Sequence, residues 1–286
     1  MKKTAAFLLY SNLYTVAVVY ALIALTDLLL QQPHHLDDLR GAILSGTLFL
    51  YPAHRLFAVY KFPHSNLQRV KSAAKAKPLM WLLVISGAVL SVLFLLRLTP
   101  NELLYLLPVP VISALYSFPL LGFTGVPPLR EIPLVKPLFI SAVVSYATCF
   151  LPGLSWSEPS SLIYLTVVRF FLVTALTLPF DIRDIQTDAF KNLRTWPIVF
   201  GEDRTRNIAV LLNVIYTLGN FAAYFFFDVF DLHIFLALWA GEITASTAIK
   251  KLNRHSTDVR LILLAEGSLV IQPVFVFIAI QITHWV

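Results

Sequence analysis

The sequence predicts an all-α membrane protein, a polytopic bundle of about nine transmembrane helices. Hydrophobic residues make up 58% of the 286-residue chain and charged residues only 13%, and the mean hydropathy is +0.75. Soluble domains carry about 25% charged residues, so a soluble globular protein is nearly excluded. The charged residues stand in short polar gaps between apolar blocks of about 20 residues. This is the length that a helix needs to cross a bilayer.

Nine apolar blocks, separated by charged or proline-rich gaps, give the predicted helices of a single domain over residues 1–286. The fourth block contains Pro108, Pro110 and Pro119, and therefore predicts a kinked helix of the kind that makes room for a cavity in a bundle. In chain order the blocks cover residues 5–30, 41–62, 78–97, 101–121, 136–152, 160–180, 206–227, 232–250 and 260–283.

The basic residues predict how these helices are oriented. Of the 22 Lys and Arg residues, 18 fall on one side of the predicted bundle and two, Arg40 and Arg97, on the other. Cytoplasmic loops carry an excess of Lys and Arg, so we expect the N-terminus in the cytoplasm and the C-terminus outside. We recognise no organellar targeting feature, which favours a bacterial inner membrane. The basic residues are scattered over several loops without a binding motif, so the bilayer rather than nucleic acid is the expected partner.

An acidic motif follows the sixth span. If the helix continues, Asp181, Asp184 and Asp188 lie at positions i, i+3 and i+7, within an arc of about 60° on one face. Three carboxylates at this spacing suit Mg²⁺ that bridges the phosphates of a substrate, with Lys191 projecting to nearly the same face. The alternative is a solvated helix end whose charge is balanced by Arg183 and Lys191. The spacing alone favours neither.

A longer pattern around this motif resembles a known family. Residues 181–188 read DIRDIQTD and are followed by Lys191, Arg194-Thr195, Pro197 and Phe200-Gly201. The string resembles the second aspartate-rich motif of the UbiA superfamily of intramembrane prenyltransferases. The resemblance implies a nine-helix membrane fold and cytoplasmic aspartate motifs. It also implies transfer of a prenyl group from a polyprenyl diphosphate to a hydrophobic, often aromatic acceptor, with Mg²⁺ holding the diphosphate.

The resemblance also implies roles for individual residues. Asp184 and Asp188 match the DxxxD pair that binds Mg²⁺ and diphosphate and takes part in catalysis, and Asp181 matches an acidic position one turn earlier that assists the metal. Lys191 and Arg194 match basic positions that bind the substrate. More weakly, a second segment resembles the region that joins the fourth and fifth helices of the family, namely Leu115-Tyr116-Ser117 with Arg130 and Lys136 downstream.

The first aspartate motif of the family is missing. It should fall near residues 51–64, but no Asp or Glu occurs between Asp38 and Glu102. His54 and Arg55 stand where carboxylates are expected to hold a second metal ion.

Three hypotheses follow for this substitution. Arg55 contacts the diphosphate directly, because a guanidinium group pairs bidentately with phosphate oxygens. Alternatively, Arg55 forms an ion pair with Asp184 or Asp188 and leaves a prenyl-lipid binding or carrier protein without catalysis. In the third hypothesis, a metal ion held only by Asp181, Asp184 and Asp188 is sufficient.

Three ionisable residues fall inside predicted spans, namely Arg169, Glu242 and Glu266. Such residues are energetically expensive in a bilayer and usually face the bundle interior. One hypothesis is structural pairing, for example of Arg169 with Glu242. The other is acceptor binding or a proton route. An ion-coupled transporter that used these residues would need internal repeats or discontinuous helices, and we see no repeat.

Overall fold

The computed structural model describes residues 13–61, 68–117, 129–155 and 158–285, and within these ranges it contains helices and no strands. Helix α9 is the longest, with 32 residues. A 3₁₀ turn, Leu129–Glu131, precedes α7, and π-helical turns at Tyr146–Phe150 and Ile262–Glu266 follow α7 and α13. In chain order the α-helices are α1 Leu13–Leu29, α2 Asp38–Lys61, α3 Gln68–Lys75, α4 Lys77–Leu95, α5 Pro100–Leu106, α6 Pro108–Ser117, α7 Lys136–Ser145, α8 Leu151–Gly153, α9 Pro159–Phe190, α10 Trp196–Phe200, α11 Glu202–Phe225, α12 Leu232–Lys251, α13 Asp258–Leu261 and α14 Gly267–Trp285.

The helices agree with an integral membrane protein. In the described residues, six helices are long and apolar enough to cross a bilayer, and α1 is a shorter apolar helix. Each of the nine predicted spans coincides with helix in the described part of the chain. The fourth span was expected to be one kinked helix, but it is divided into α5 and α6 because Pro108 begins a new helix there. Pro119 lies outside the described residues. The six long helices are α2, α4, α9, α11, α12 and the segment Asp258–Thr283.

The chain divides into two compact units. The first comprises residues 1–21 and 35–103. Within it, α2 and α4 pack closely because Gly87 carries no side chain: a Cβ atom there would lie 2.5 Å from the backbone nitrogen of Phe49. Leu56, Met80 and Val84 form a buried apolar cluster beside this contact.

The second unit comprises residues 22–34 and 104–286, and Arg169 is buried inside it. The pairing of Arg169 with Glu242 that we considered from the sequence does not form. Instead, Arg169 Nη1 donates to the backbone oxygens of Leu22 at 2.8 Å and Thr148 at 2.7 Å. Thr148 lies in the π-helical turn Tyr146–Phe150, where the change of helix type disturbs the usual backbone pairing. Arg169 therefore joins three segments of this unit.

Candidate functional site

Helix α9 continues through the acidic motif, so the three aspartates share one helix. Asp181 has no exposed surface and Asp188 is 5% exposed. Asp181 and Asp188 are therefore buried, whereas Asp184 is partly exposed and paired with Arg183. The metal site and the helix end balanced by cations both remain predictions. The helix stops just beyond the motif because Asn192 adopts φ 55°, with its N–H donating to the Ala189 oxygen. The Leu193 N–H donates to the Asp188 oxygen at 2.9 Å, which completes a Schellman motif.

A lysine from another helix bridges two of the aspartates. Lys136 Nζ lies 2.6 Å from Asp181 Oδ1 and 3.4 Å from Asp188 Oδ2. The two aspartates are almost completely buried, whereas the Lys136 side chain keeps 21% of its surface exposed. The second oxygen of Asp181, Oδ2, is buried and has no hydrogen-bond partner among the described residues. A single ammonium group therefore neutralises this pair of carboxylates only in part.

The loop before α7 positions Lys136. Leu134 adopts φ 64°, and its N–H donates to the Arg194 backbone oxygen at 3.0 Å. The Leu134 oxygen accepts a 2.7 Å bond from Trp196 Nε1. These two bonds fasten the start of α7 to the segment that follows α9. The same segment that carries Arg194 therefore also holds Lys136 next to the acidic face.

An arginine holds the third aspartate. Arg183 Nε and Nη2 donate to the two oxygens of Asp184, both at 2.9 Å, a bidentate ion pair. Arg183 Nη1 also donates to Asp258 Oδ1, at the first turn of α13. This network links α9 to α13 and fixes the orientation of Asp184.

The other predicted site residues are not part of α9. Lys191 directly follows α9, and both Lys191 and Arg194 are exposed. Arg55 lies on α2 in the first unit and is partly buried. The substrate contacts expected of these three residues remain predictions.

Of the two cations that contact the aspartates, the sequence pattern indicated Arg183 as a balancing charge but did not indicate Lys136. Lys136 lies 45 residues before Asp181. In the sequence, Lys136 stands out only because its segment weakly resembles the region that joins the fourth and fifth helices of the UbiA superfamily. The one available signal was a basic residue at the start of a predicted span on the same side of the membrane as the acidic motif. That signal does not say which helices are neighbours.

The donor set fits a divalent cation in the type of its ligands. Among the described residues, Asp181, Asp184, Asp188 and Asp258 form ion pairs with Lys136 and Arg183. Carboxylate oxygens are the ligands that Mg²⁺ prefers, and Asp181 Oδ2 offers one that is already unpaired. Among the described residues, however, no three His, Cys, Asp or Glu side chains already converge on one point as a metal site. Lys136 occupies the space between two of them.

An apolar cavity is lined in part by α7 and α9, the helices that carry Lys136 and the three aspartates. Its volume is about 310 Å³, and its walls come from α6, α7, α9 and the start of the π-helical turn. Phe170, in its lining, precedes Asp181 by eleven residues, a rise of about 16 Å along α9. Ser145 Oγ and Thr166 Oγ1, also on lining residues, are buried without a hydrogen-bond partner. The cavity is therefore almost wholly apolar, with two hydroxyl groups unused by the protein.

Solved structures share this architecture. The chain matches no protein-family model, and no curated protein resembles it significantly in sequence. A UbiA homologue from Archaeoglobus fulgidus, bound to GPP and Mg²⁺, superposes with a TM-score of 0.63 at 18% identity, over 96% of this chain and 99% of that one. An apo UbiA homologue from Aeropyrum pernix K1 gives 0.67 at 12% identity, over 94% and 98%.

The chain has the UbiA fold. A digeranylgeranylglyceryl phosphate synthase shares it with a TM-score of 0.57 at 15% identity, over 98% of this chain and all of that one. The fold-class prediction is therefore confirmed, and with it the prediction of an integral membrane protein. Sequence identities this low establish the UbiA fold, whereas activity depends on the residues of the site.

Proposed function

We propose that the protein is a prenyltransferase of the UbiA superfamily, which takes a polyprenyl diphosphate and a lipid-soluble acceptor such as an aromatic compound. The observation that carries the proposal is the buried acidic face of α9 in a chain with the UbiA fold. Buried carboxylates in a membrane protein are costly, and they usually mark a site. Two proteins of similar structure also support a prenyltransferase, because one binds GPP with Mg²⁺ and another is a prenyl-lipid synthase.

In this proposal the diphosphate binds at the cytoplasmic end of α9. Asp181, Asp184 and Asp188 would hold Mg²⁺, which neutralises the diphosphate charge when bound. Lys191 and Arg194 are exposed just beyond the acidic face and add positive charge for the phosphate oxygens. The apolar cavity between α6, α7 and α9 takes the prenyl chain, because its wall is almost free of polar surface.

The proposed reaction breaks the bond between the first carbon of the prenyl chain and the diphosphate oxygen. Both bonding electrons leave with the diphosphate, and the allylic cation that remains is attacked by the acceptor. The acceptor forms one new bond to carbon and loses one proton, which leaves with the diphosphate. The protein contributes orientation, exclusion of water from the cation and stabilisation of the leaving group's charge.

A second candidate function is a prenyl-lipid binding or carrier protein without catalysis. The observation that favours it is the absence of any Asp or Glu between Asp38 and Glu102, where the first motif of the UbiA superfamily should supply metal ligands. Such a protein would bind a polyprenyl diphosphate and leave it intact.

Diphosphate release separates the two candidates. Purified protein in detergent is incubated with Mg²⁺, geranyl diphosphate and a panel of aromatic and lipid acceptors, and inorganic diphosphate is measured. A prenyltransferase releases diphosphate, and D184N abolishes the release while D203N, at an exposed aspartate, leaves it unchanged. Binding of geranyl diphosphate with no release from any acceptor would contradict the enzyme and favour the carrier.

A further inference from the structure

We propose that a basic surface in the first unit binds the headgroup of an anionic phospholipid. Lys71 and Lys75 on α3 and Lys77 at the start of α4 form this surface, together with Tyr60 and Trp81. We call it the lysine surface. The proposal concerns α2, α3 and α4 alone, and it holds whether or not the protein is a prenyltransferase.

Helix α3 turns its lysines outward because its apolar residues are buried. Val70 and Ala73 are buried in a cluster with Val59 of α2. Lys71 and Lys75 are exposed and, being four residues apart, lie on one face of the helix. Like charges at this spacing repel each other, and α3 contains no acidic residue. Packing against α2 therefore holds two positive charges side by side.

The acidic residues of the first unit lie away from the lysine surface. Asp38 begins α2, and Lys61 ends the same helix after a rise of about 35 Å. Within the described part of the chain, neither Lys71 nor Lys75 forms an ion pair. An anion from outside the protein can therefore balance them. The acidic residues in the described part of this unit are Asp37, Asp38 and Glu102.

Two aromatic side chains place the lysine surface at the depth of lipid headgroups. Tyr60 is 58% exposed and Trp81 is 46% exposed, and Trp81 Nε1 donates to the Tyr60 hydroxyl at 3.4 Å. Exposed Tyr and Trp side chains concentrate at the membrane–water interface, where their amphipathic rings sit among the headgroups. Lys77 Nζ lies 4.8 Å from the centre of the Tyr60 ring. Its charge is therefore at the level of the lipid phosphates.

A phospholipid uses more of this region than a soluble anion does. The lysines offer positive charge to a phosphate group, and α4 continues from them as an exposed apolar face that can contact acyl chains. A soluble phosphate would contact only the lysines. Basic clusters next to a membrane-spanning helix attract anionic lipids for this reason. The apolar face of α4 comprises Leu82, Ile85 and Val89.

Native mass spectrometry of the full-length protein tests the proposal. The protein is released from detergent micelles that contain equal amounts of phosphatidylglycerol and phosphatidylcholine with the same acyl chains, and the bound copies of each lipid are counted. We expect the parent protein to retain phosphatidylglycerol in preference. K71Q/K75Q should lower its affinity about 25-fold, because each lysine near anionic headgroups contributes about fivefold. K71R/K75R keeps both charges and should bind like the parent.

The matched control is K250Q/K251Q, which removes two exposed lysines at the end of α12 and should leave the affinity unchanged. Equal losses in K71Q/K75Q and K250Q/K251Q would overturn the proposal, since the lipid would respond to net charge alone. Unchanged affinity in K71Q/K75Q, or an equal loss in K71R/K75R, would overturn it as well. Replacement of the bound lipid by inorganic phosphate at the same concentration would show a site for a soluble anion instead.

Discussion

The ammonium nitrogen of Lys136 lies 2.6 Å from Oδ1 of Asp181, which is 45 residues further along the chain. This ion pair joins the start of α7 to the buried acidic face of α9. Because Asp181 is fully buried, this contact helps to hold the two helices together.

Breaking this ion pair from one side should destabilise the protein strongly. Removing one partner of a buried ion pair costs about 3–5 kcal/mol, and the partial exposure of Lys136 places the value for D181N at the lower end. The double variant K136M/D181N should lose much less than the two single variants together, since no charge is left unpaired between them. Thermal unfolding in detergent measures both. Strictly additive losses would contradict the pairing.

The glycines of the first unit give a prediction about packing. G87A should destabilise the protein by about 1–3 kcal/mol, because the new Cβ atom would meet the backbone of Phe49 at 2.5 Å. G46A is the matched control on the facing helix α2, where a Cβ atom meets nothing within 4 Å. It should stabilise by about 0.5–1 kcal/mol, because alanine loses less conformational freedom in a helix. Equal effects of the two variants on thermal unfolding would contradict the described packing.

Much of the fold followed from the sequence, because bilayer thickness fixes the length of an apolar helix. The nine spans were accessible in this way, and the prolines of the fourth span indicated an irregular helix. The apolar pattern ended the sixth span at residue 180, so it did not predict that α9 continues through Asp188. Of the partners of the aspartates, Arg183 was indicated by its place within the motif, but Lys136 was not. Lys136 meets Asp181 because of how α7 packs on α9, and hydropathy does not encode such helix neighbours. Likewise, Arg169 is paired with carbonyl oxygens of Leu22 and Thr148, which no side-chain pattern reveals.

A buried carboxyl group in the second unit predicts a variant that stabilises the protein, in contrast to D181N and G87A. Glu242 on α12 is 6% exposed, and within the described part of the chain neither of its oxygens has a hydrogen-bond partner, although Thr217 and Asn213 approach it. An unpaired buried carboxylate is costly, and an amide of the same shape costs less. E242Q should therefore raise the midpoint of thermal unfolding by a few degrees.

The control for E242Q is E158Q, because Glu158 is exposed and makes no capping bond at the start of α9. It should leave the midpoint unchanged. A lower midpoint for E242Q would mean that the carboxylate has a stabilising partner, and would contradict its description as unpaired.

The network of Arg183 predicts that lysine cannot replace it. R183K loses the bidentate pair with Asp184 while keeping the charge, and should lower stability by about 1–3 kcal/mol. R206K, at a partly exposed pair with Glu202 one turn away on α11, should change stability by less than about 0.5 kcal/mol. Thermal unfolding compares the two. Equal losses would indicate that Arg183 contributes only a surface charge.

The most direct test of the central claim is calorimetric binding of a polyprenyl diphosphate in detergent, with Mg²⁺ and with a chelator. The parent protein, D184N/D188N and D203N would be compared, since Asp203 is 91% exposed and lies outside the acidic face. We predict binding that needs both Mg²⁺ and the two aspartates and that D203N retains. Binding that persists in the chelator and in D184N/D188N would contradict the assignment of the acidic face of α9 as a metal–diphosphate site.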